Sequence, residues 1–333
     1  MPGNAPRVRI TDVAARAGVS TATVSRALTG ARPMSPELRQ KVLRAADELG
    51  YRVNLLGRAL RQQRTRAIGL LVPDLNNPFF AALAEHLSRV VEPSGIELLV
   101  ASAGGNVSAE LHSVQSFLGR QIESLVIIPC DEVESEQSLQ TAMTQAVTVQ
   151  LDRRVLSSGA FYVGCDNTHG MALIAEHVER HVHIHDQPVV FVGAEPQSSS
   201  AHERLDGFRH RFPDALRLLG DFDVRWGQDA ADRLIDQGMA RGTLVAAADV
   251  IALGLLGRLQ ARGFRIPQDF RVIGFDGVGV TPLAYPELTT VRQPVETMGS
   301  TILDLITNGA SPQRGTEIRL APTLVEAASS PAR

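Results

Sequence analysis

Residues 10–30 read ITDVAARAGVSTATVSRALTG. Val13, Ala14 and Ala17 recur at helical spacing, Thr11 is placed to cap the start, and Gly18 stops the run. Ser20 is placed to cap a second helix, TATVSRAL, with Val24, Ala27 and Leu28 on one face. Only Gly18 and Val19 separate the first helix from the second cap, so the two helices must cross at a sharp angle. Downstream, Gly30 and Pro33 break the chain. Ser35-Pro36-Glu37 then opens a third helix with a capping hydroxyl and proline in its first turn. Leu38, Val42, Ala46 and Leu49 follow at helical spacing, and Gly50 closes it. The pattern predicts an all-α helix-turn-helix unit.

Charge separates this unit from the rest. Residues 1–66 hold 12 arginines and Lys41 against Asp12, Glu37, Asp47 and Glu48, a net +9. The other 267 residues carry −12, within an overall −3. A basic head on an acidic body points to a polyanion-binding module joined to a part that does not bind polyanions. In helix-turn-helix geometry the second helix enters the DNA major groove by its N-terminal end. Thr21, Ala22 and Arg26 would then face bases, Arg26 with the fork that pairs with guanine. Thr11, Thr23 and Ser25 become candidate phosphate contacts, with Ser20 at the same helix end.

The 333 residues are enough for two or three domains, and 44% hydrophobic with 21% charged residues is an ordinary globular profile. No apolar run reaches the ~18 residues a membrane span needs. The opening MPGNAPRVRI lacks the apolar core of a secretion signal. Cys130 and Cys165 read as reduced thiols. The expectation is a cytoplasmic chain with no membrane partner.

From residue 66 onward, apolar runs alternate with helical stretches. AIGLLVP (67–73), IELLVAS, SLVIIP, AVTVQLD, FYVGCD, PVVFVG, TLVAAAD and RVIGFD read as strands. Near-continuous apolar strands between helices predict parallel sheets covered on both faces, here as two doubly wound lobes with a cleft between them. Ligands in such folds sit at the carboxyl ends of strands. No GxxxxGK[ST], GxGxxG or GxSxG motif occurs, so no cofactor is expected and no catalytic constellation is visible. His177 and His181 stand four apart, followed by His183 and His185, and read as a solvated surface run holding no metal.

The run ITDVAARAGVSTATVSRALTG, continued to ELGYRVN, resembles the DNA-binding domain of the LacI/GalR family of bacterial transcription regulators, almost without a break over residues 9–61. The resemblance implies a helix-turn-helix domain at 1–51 and a hinge at 52–65. It implies a periplasmic-binding-protein-like effector and dimerisation domain at 66–333. Its N-lobe would span about 66–164 and 294–322, its C-lobe about 165–293 and 323–328. It implies a hinge helix that forms on operator DNA within a dimer. Asn54 would cap that helix, Arg58 would contact DNA, and Leu60 would wedge into the minor groove. Val53 stands where the family usually has Pro, and Gly57 where it has Ala. Glycine costs a helix about 1 kcal/mol relative to alanine, so the hinge is expected to be weak.

The body also resembles periplasmic sugar-binding proteins, the ribose-binding proteins in particular. The positions that match their pocket are Asn77, Phe79, Phe80, Asp152, Arg153, Arg204, Phe222, Asp276 and Gln293. The one departure is Ala248, where Asn is expected before Asp249. Aromatic rings suit the C–H faces of a sugar, and carboxylates, guanidinia and amides suit its hydroxyl rim. Taken singly, Phe79 and Phe80 could be core, Asp152–Arg204 a structural ion pair and Asp276 a turn cap. The implied protein is a dimeric repressor of carbohydrate genes. It would bind a pseudo-palindromic double-stranded operator and answer to a small sugar-like effector, ribose or a ribose derivative. The alternatives are the same regulator with another monosaccharide, a nucleoside or a purine, and more remotely a sugar-binding transport protein. The closing TLVEAASSPAR has no leucine heptads, which favours a homodimer over a tetramer.

Overall fold

A computed structural model describes residues 8–29, 34–51, 65–181, 187–279, 283–307 and 315–332. The chain divides into two compact units, residues 1–65 and 66–333. The first contains α1 (Ile10–Ala17), α2 (Thr21–Thr29) and α3 (Pro36–Glu48). Val13, Ala14 and Ala17 of α1, Val24 and Ala27 of α2, and Val42, Ala45 and Ala46 of α3 form its small core. Gly18 ends α1 in the left-handed conformation at φ 63°, where a side chain would be strained, and this turns the chain into α2. Ser20 caps α2 as expected, its Oγ accepting from the Thr23 N–H at 3.2 Å. Ser35 caps α3 in the same way. Thr11 does not cap α1. The helix begins two residues earlier, at Ile10 after the N-cap Arg9, whose N–H is accepted by the Asp12 carboxylate at 2.7 Å.

The second unit holds two six-stranded sheets. The first has β1 (Ala67–Val72), β2 (Glu97–Ser102), β3 (Ser124–Ile127), β4 (Val147–Leu151), β5 (Phe161–Cys165) and, late in the chain, β11 (Glu317–Leu320). Its order is β11-β5-β4-β3-β1-β2, all parallel. Its helices are α4 (Pro78–Val91), α5 (Val107–Gly119), α6 (Glu136–Met143) and the returning α11 (Val295–Thr307), which packs on α4, β4 and β5. The second sheet has β6 (Val189–Ala194), β7 (Leu216–Gly220), β8 (Gly242–Ala246), β9 (Phe270–Asp276), β10 (Thr289–Arg292) and β12 (Thr323–Val325). Its order is β12-β10-β9-β8-β6-β7, parallel except for the β10–β12 pair. Its helices are α7 (Asn167–His181), α8 (Ser199–Arg211), α9 (Val224–Asp236) and α10 (Asp249–Ala261). The chain passes between the sheets after β5, after β10 and after β11. Among the described residues no helix is long and apolar enough to cross a membrane.

Central strands β1, β3, β6 and β8 are buried along their whole length, the signature of a sheet covered on both faces. The second lobe depends on one close helix contact. A Cβ on Gly227 of α9 would lie 2.2 Å from the Ile251 carbonyl of α10, and one on Gly254 would lie 2.1 Å from the Val224 carbonyl. The two backbones therefore touch without side chains between them. Gly257, on the exposed side of α10, has open space around it. Gly227→Ala should therefore destabilise the body by about 1–3 kcal/mol through overpacking. Gly257→Ala should raise its thermal midpoint, worth about 1 kcal/mol at most in helix propensity. Thermal denaturation of the full chain checks the two opposite signs.

Candidate DNA-reading helix and effector cleft

On α2 the expected base-facing side chains Thr21, Ala22 and Arg26 are all exposed, while Val24 and Ala27 point into the core. Ser20 Oγ and Thr23 Oγ1 lie 2.9 Å apart. Arg26 runs back along its own helix, with Nε donating to the Ala22 carbonyl at 3.3 Å and Nη2 reaching Thr23 Oγ1 at 3.5 Å. Thr11 is exposed and Ser25 half-buried. Asn54, Arg58 and Leu60, with Val53 and Gly57, lie outside the described residues.

In the body, six of the nine expected pocket residues follow or end a strand, at carboxyl ends drawn from both sheets. Asn77 follows β1, Asp152 and Arg153 follow β4, Phe222 follows β7, Asp276 ends β9 and Gln293 follows β10. Arg204, from α8, is the hub. Its Nη1 donates to the Ala247 carbonyl at 2.8 Å and to Asp276 Oδ1 at 3.2 Å, and its Nε donates to Asn167 Oδ1 at 2.9 Å. Its Nη2 stands 4.0 Å from Asp152 across the lobe junction, and the guanidinium lies over the Phe275 ring. Gln293 Nε2 donates to the same Asp276 oxygen at 2.9 Å. Asp152 and Asp276 sit at φ 61° and 129°, strained for residues with a Cβ. The Asp152 carbonyl is held by the Tyr162 hydroxyl and that of Asp276 by the Gln293 N–H.

Burial pushes the carboxyls of Asp152 and Asp276 up, and Arg204 pulls both back toward the charged form. Burial and the nearby Asp276 also raise Asp249, which accepts from the Thr290 hydroxyl and the Val278 N–H. Asp152 Oδ1, Arg153 Nε and Gln293 Oε1 are buried without a hydrogen-bond partner. An unmade bond at such an atom costs about 1–3 kcal/mol, and all three belong to one cluster.

The aromatic residues differ from expectation. Phe79 and Phe80 are buried and belong to the apolar core. The Arg153 guanidinium occupies the space between Phe80 and Phe222, 5.4 and 5.3 Å from their ring centres. Those faces are covered by the protein's own cation. Asn77 caps α4, its Oδ1 accepting the Phe79 N–H at 3.0 Å. The structure thus joins Phe80, Asp152, Arg153, Arg204, Phe222, Asp276 and Gln293, and leaves Asn77 and Phe79 in structural positions. Ala248 is the N-cap of α10, which consequently starts with no side-chain cap.

Reading the chain missed a second set of residues. Glu203 on α8 of the second lobe accepts from Arg154 at 3.1 Å, Arg319 at 2.9 Å and Asn167 at 2.8 Å. Arg154 and Arg319 both belong to the first lobe, and Arg154 also pairs with Glu317. The Arg154 N–H donates to Ser199 Oγ across the same junction. Position beside Asp152-Arg153 and Arg204 was the available signal for Arg154 and Glu203. A cavity of about 360 Å³ opens beside this clasp, lined by Glu132, Arg154, Ser199, His202 and Glu203 among others, and does not include the predicted pocket residues.

The histidines also correct the sequence reading. His177 is buried at 2% exposure, with Nε2 2.9 Å from the Ser330 carbonyl, so it is not a solvated surface group. His183 and His185 lie outside the described residues.

Burial works against the Glu203 charge, but the hydrogen bonds from Arg319 and Asn167 and the charges of Arg319 and Arg154 hold its carboxyl below the ordinary range. A depressed carboxyl contributes its stability above the unfolded value and loses it as pH falls through the folded one. The stability difference between wild type and Glu203→Gln should stay flat from pH 7 to about 5 and shrink below that. Denaturant unfolding at stepped pH measures it; a difference unchanged at pH 3 contradicts the clasp.

Comparison with known proteins fits this geometry. The model for bacterial regulatory proteins of the lacI family matches residues 9–54, and that for a periplasmic binding protein-like domain matches residues 163–330. The HTH-type transcriptional regulator AscG of Escherichia coli (strain K12) is 31% identical over 301 residues, covering 86% of this chain and 87% of that protein. The ribose operon repressor of Haemophilus influenzae is 27% identical, covering 89% and 90%. The solved lac repressor dimer bound to operator and the anti-inducer ONPF shares the fold at a TM-score of 0.83 and 24% identity, covering 98% of this chain and 99% of that one. With a three-helix head, a two-sheet body and relatives aligned along nearly its whole length, this chain belongs to the LacI family of bacterial regulatory proteins, DNA-binding transcription regulators and not enzymes.

Proposed function

We propose that this protein is a cytoplasmic, homodimeric repressor that binds a pseudo-palindromic operator and is controlled by a small polyol held at the lobe junction. Ribose or a ribose derivative is the favoured effector. One observation carries the effector reading: Asp152 Oδ1, Arg153 Nε and Gln293 Oε1, buried without a hydrogen-bond partner around the Arg204 hub, on strand ends of both lobes. Hydroxyls both donate and accept, so a sugar would complete these bonds. Entry requires Arg153 to leave the Phe80–Phe222 sandwich, which would free both rings for the sugar face. The Haemophilus relative named for a ribose operon lends the sugar choice support. Ala248 favours a second reading, a nucleoside or purine, because it supplies no polar side chain at the start of α10.

At the head, two copies of α2 would enter successive major grooves, with Thr21, Ala22 and Arg26 against bases and Thr11, Ser20, Thr23 and Ser25 near phosphates. Asn54, Arg58 and Leu60 would serve the hinge. The effector acts by population shift, limited by its differential affinity for the two states.

Calorimetry with ribose, other pentoses, nucleosides and purines tests the effector. Phe222→Ala, which removes one wall of the sandwich, should weaken binding of the active ligand; no heat from any of them overturns this reading. Fluorescence anisotropy on DNA from the chain's own upstream region tests the head. Affinity should fall steeply with salt, by a slope of roughly 0.9 per phosphate neutralised. Arg26→Ala should cost about 1–3 kcal/mol and relax base preference. Salt-insensitive binding, or occupancy unchanged by Arg26→Ala, contradicts the proposal.

A further inference from the structure

His177 and His181 stand one turn apart on α7, their ring centres 5.0 Å from each other. Glu326, just beyond β12, reaches the same point, and one ligand atom from each of the three lies within 4.8 Å of the others. The elements that carry them are well anchored. The tail after β12 is tied to the sheet through Ser329, whose Oγ accepts the Thr289 N–H and donates to the Val272 carbonyl. The Thr289 hydroxyl meets the carbonyls of Ala327 and Ser330.

The tautomer of His177 decides the chemistry. Its Nε2 lies 2.9 Å from the Ser330 carbonyl and 3.0 Å from the Ser330 hydroxyl, and a proton on Nε2 is accepted by the carbonyl. In the neutral ring Nδ1 is then the lone-pair nitrogen. It is buried, has no hydrogen-bond partner, and faces Glu326 Oε1 at 3.5 Å. A lone pair turned toward a carboxylate is repulsive, and either a proton on Nδ1 or a metal ion held by both groups removes the repulsion. A backbone carbonyl on the far ring nitrogen is also the usual support of a metal-binding histidine.

We infer that His177 Nδ1, His181 and Glu326 form a site for one divalent transition-metal ion, zinc foremost, that clips α7 to the tail following the last crossover. Two imidazoles and one carboxylate are a zinc donor set with a fourth position left for water. Bonds of about 2.0–2.1 Å place tetrahedral ligands roughly 3.3 Å apart, close to the 3.5 Å between His177 and Glu326. Glu326 is 43% exposed, so its carboxylate has room to adjust, and His181 is half-buried. Magnesium, which demands oxygen ligands, does not suit the site. Bound metal stabilises the second lobe, because the unfolded chain lacks the site. This clip stands apart from the proposed effector residues and does not depend on them.

The test uses the full chain, stripped of metal and titrated with Zn²⁺ against a chromophoric chelator, with Co²⁺ as a spectroscopic probe. The inference expects one Zn²⁺ per chain, a tetrahedral Co²⁺ spectrum, no response to Mg²⁺, and a Zn²⁺-dependent rise in thermal midpoint. His181→Ala and Glu326→Gln should each weaken Zn²⁺ binding more than tenfold and abolish that rise, while far-UV circular dichroism stays that of wild type. His177 is left intact because its ring holds the tail through Ser330. Absence of Zn²⁺ uptake, or uptake unchanged in both variants, overturns the inference.

Discussion

The body turns on one buried guanidinium. Arg204, 3% exposed, is the only described cation that meets Asp276 of its own lobe directly and Asp152 of the other. Taking such a charge out of water is expensive, and two carboxylates, a carbonyl and an amide oxygen compensate it. Removing one member of a buried set of this kind typically costs about 3–5 kcal/mol, because the others are left uncompensated. The cluster therefore fixes where the strand ends of the two lobes meet. Burial pushes the carboxyls of Asp152 and Asp276 up, and Arg204 draws both back toward the charged form. The Glu203 clasp repeats the logic nearer the surface, with two arginines from one lobe on a carboxylate of the other.

Much of this was legible because strong periodic signals and local turn chemistry agree. The turn at Gly18, the caps at Ser20 and Ser35, and the buried runs of β1, β3, β6 and β8 follow from residue type and spacing. Short edge strands were not. LRLLG (216–220), EIRL (317–320) and TLV (323–325) are partly exposed and too short for an alternating pattern to stand out. The first helix cap is Arg9 and not Thr11, because the Asp12 carboxylate reaches back three residues to accept the Arg9 N–H and starts the helix at Ile10.

The cleft was legible as a set of residue types at strand ends, but not as a geometry. Nothing in the sequence says that Arg153 lies between Phe80 and Phe222, or that Asn77 uses its oxygen on a helix start. Those are outcomes of packing between segments far apart in the chain. His177 failed for the same reason: the carbonyl that buries and orients it comes from Ser330, 153 residues away.

Linkage tests the account most directly. The affinity of the full chain for D-ribose is measured by calorimetry, once free and once saturated with operator DNA, and operator affinity is measured with and without saturating ribose. If the Arg204 cluster binds effector and the head answers to it, the two affinities shift by the same factor, as reciprocity requires. Ribose affinity that is identical on and off DNA, or no ribose binding in either state, would contradict it.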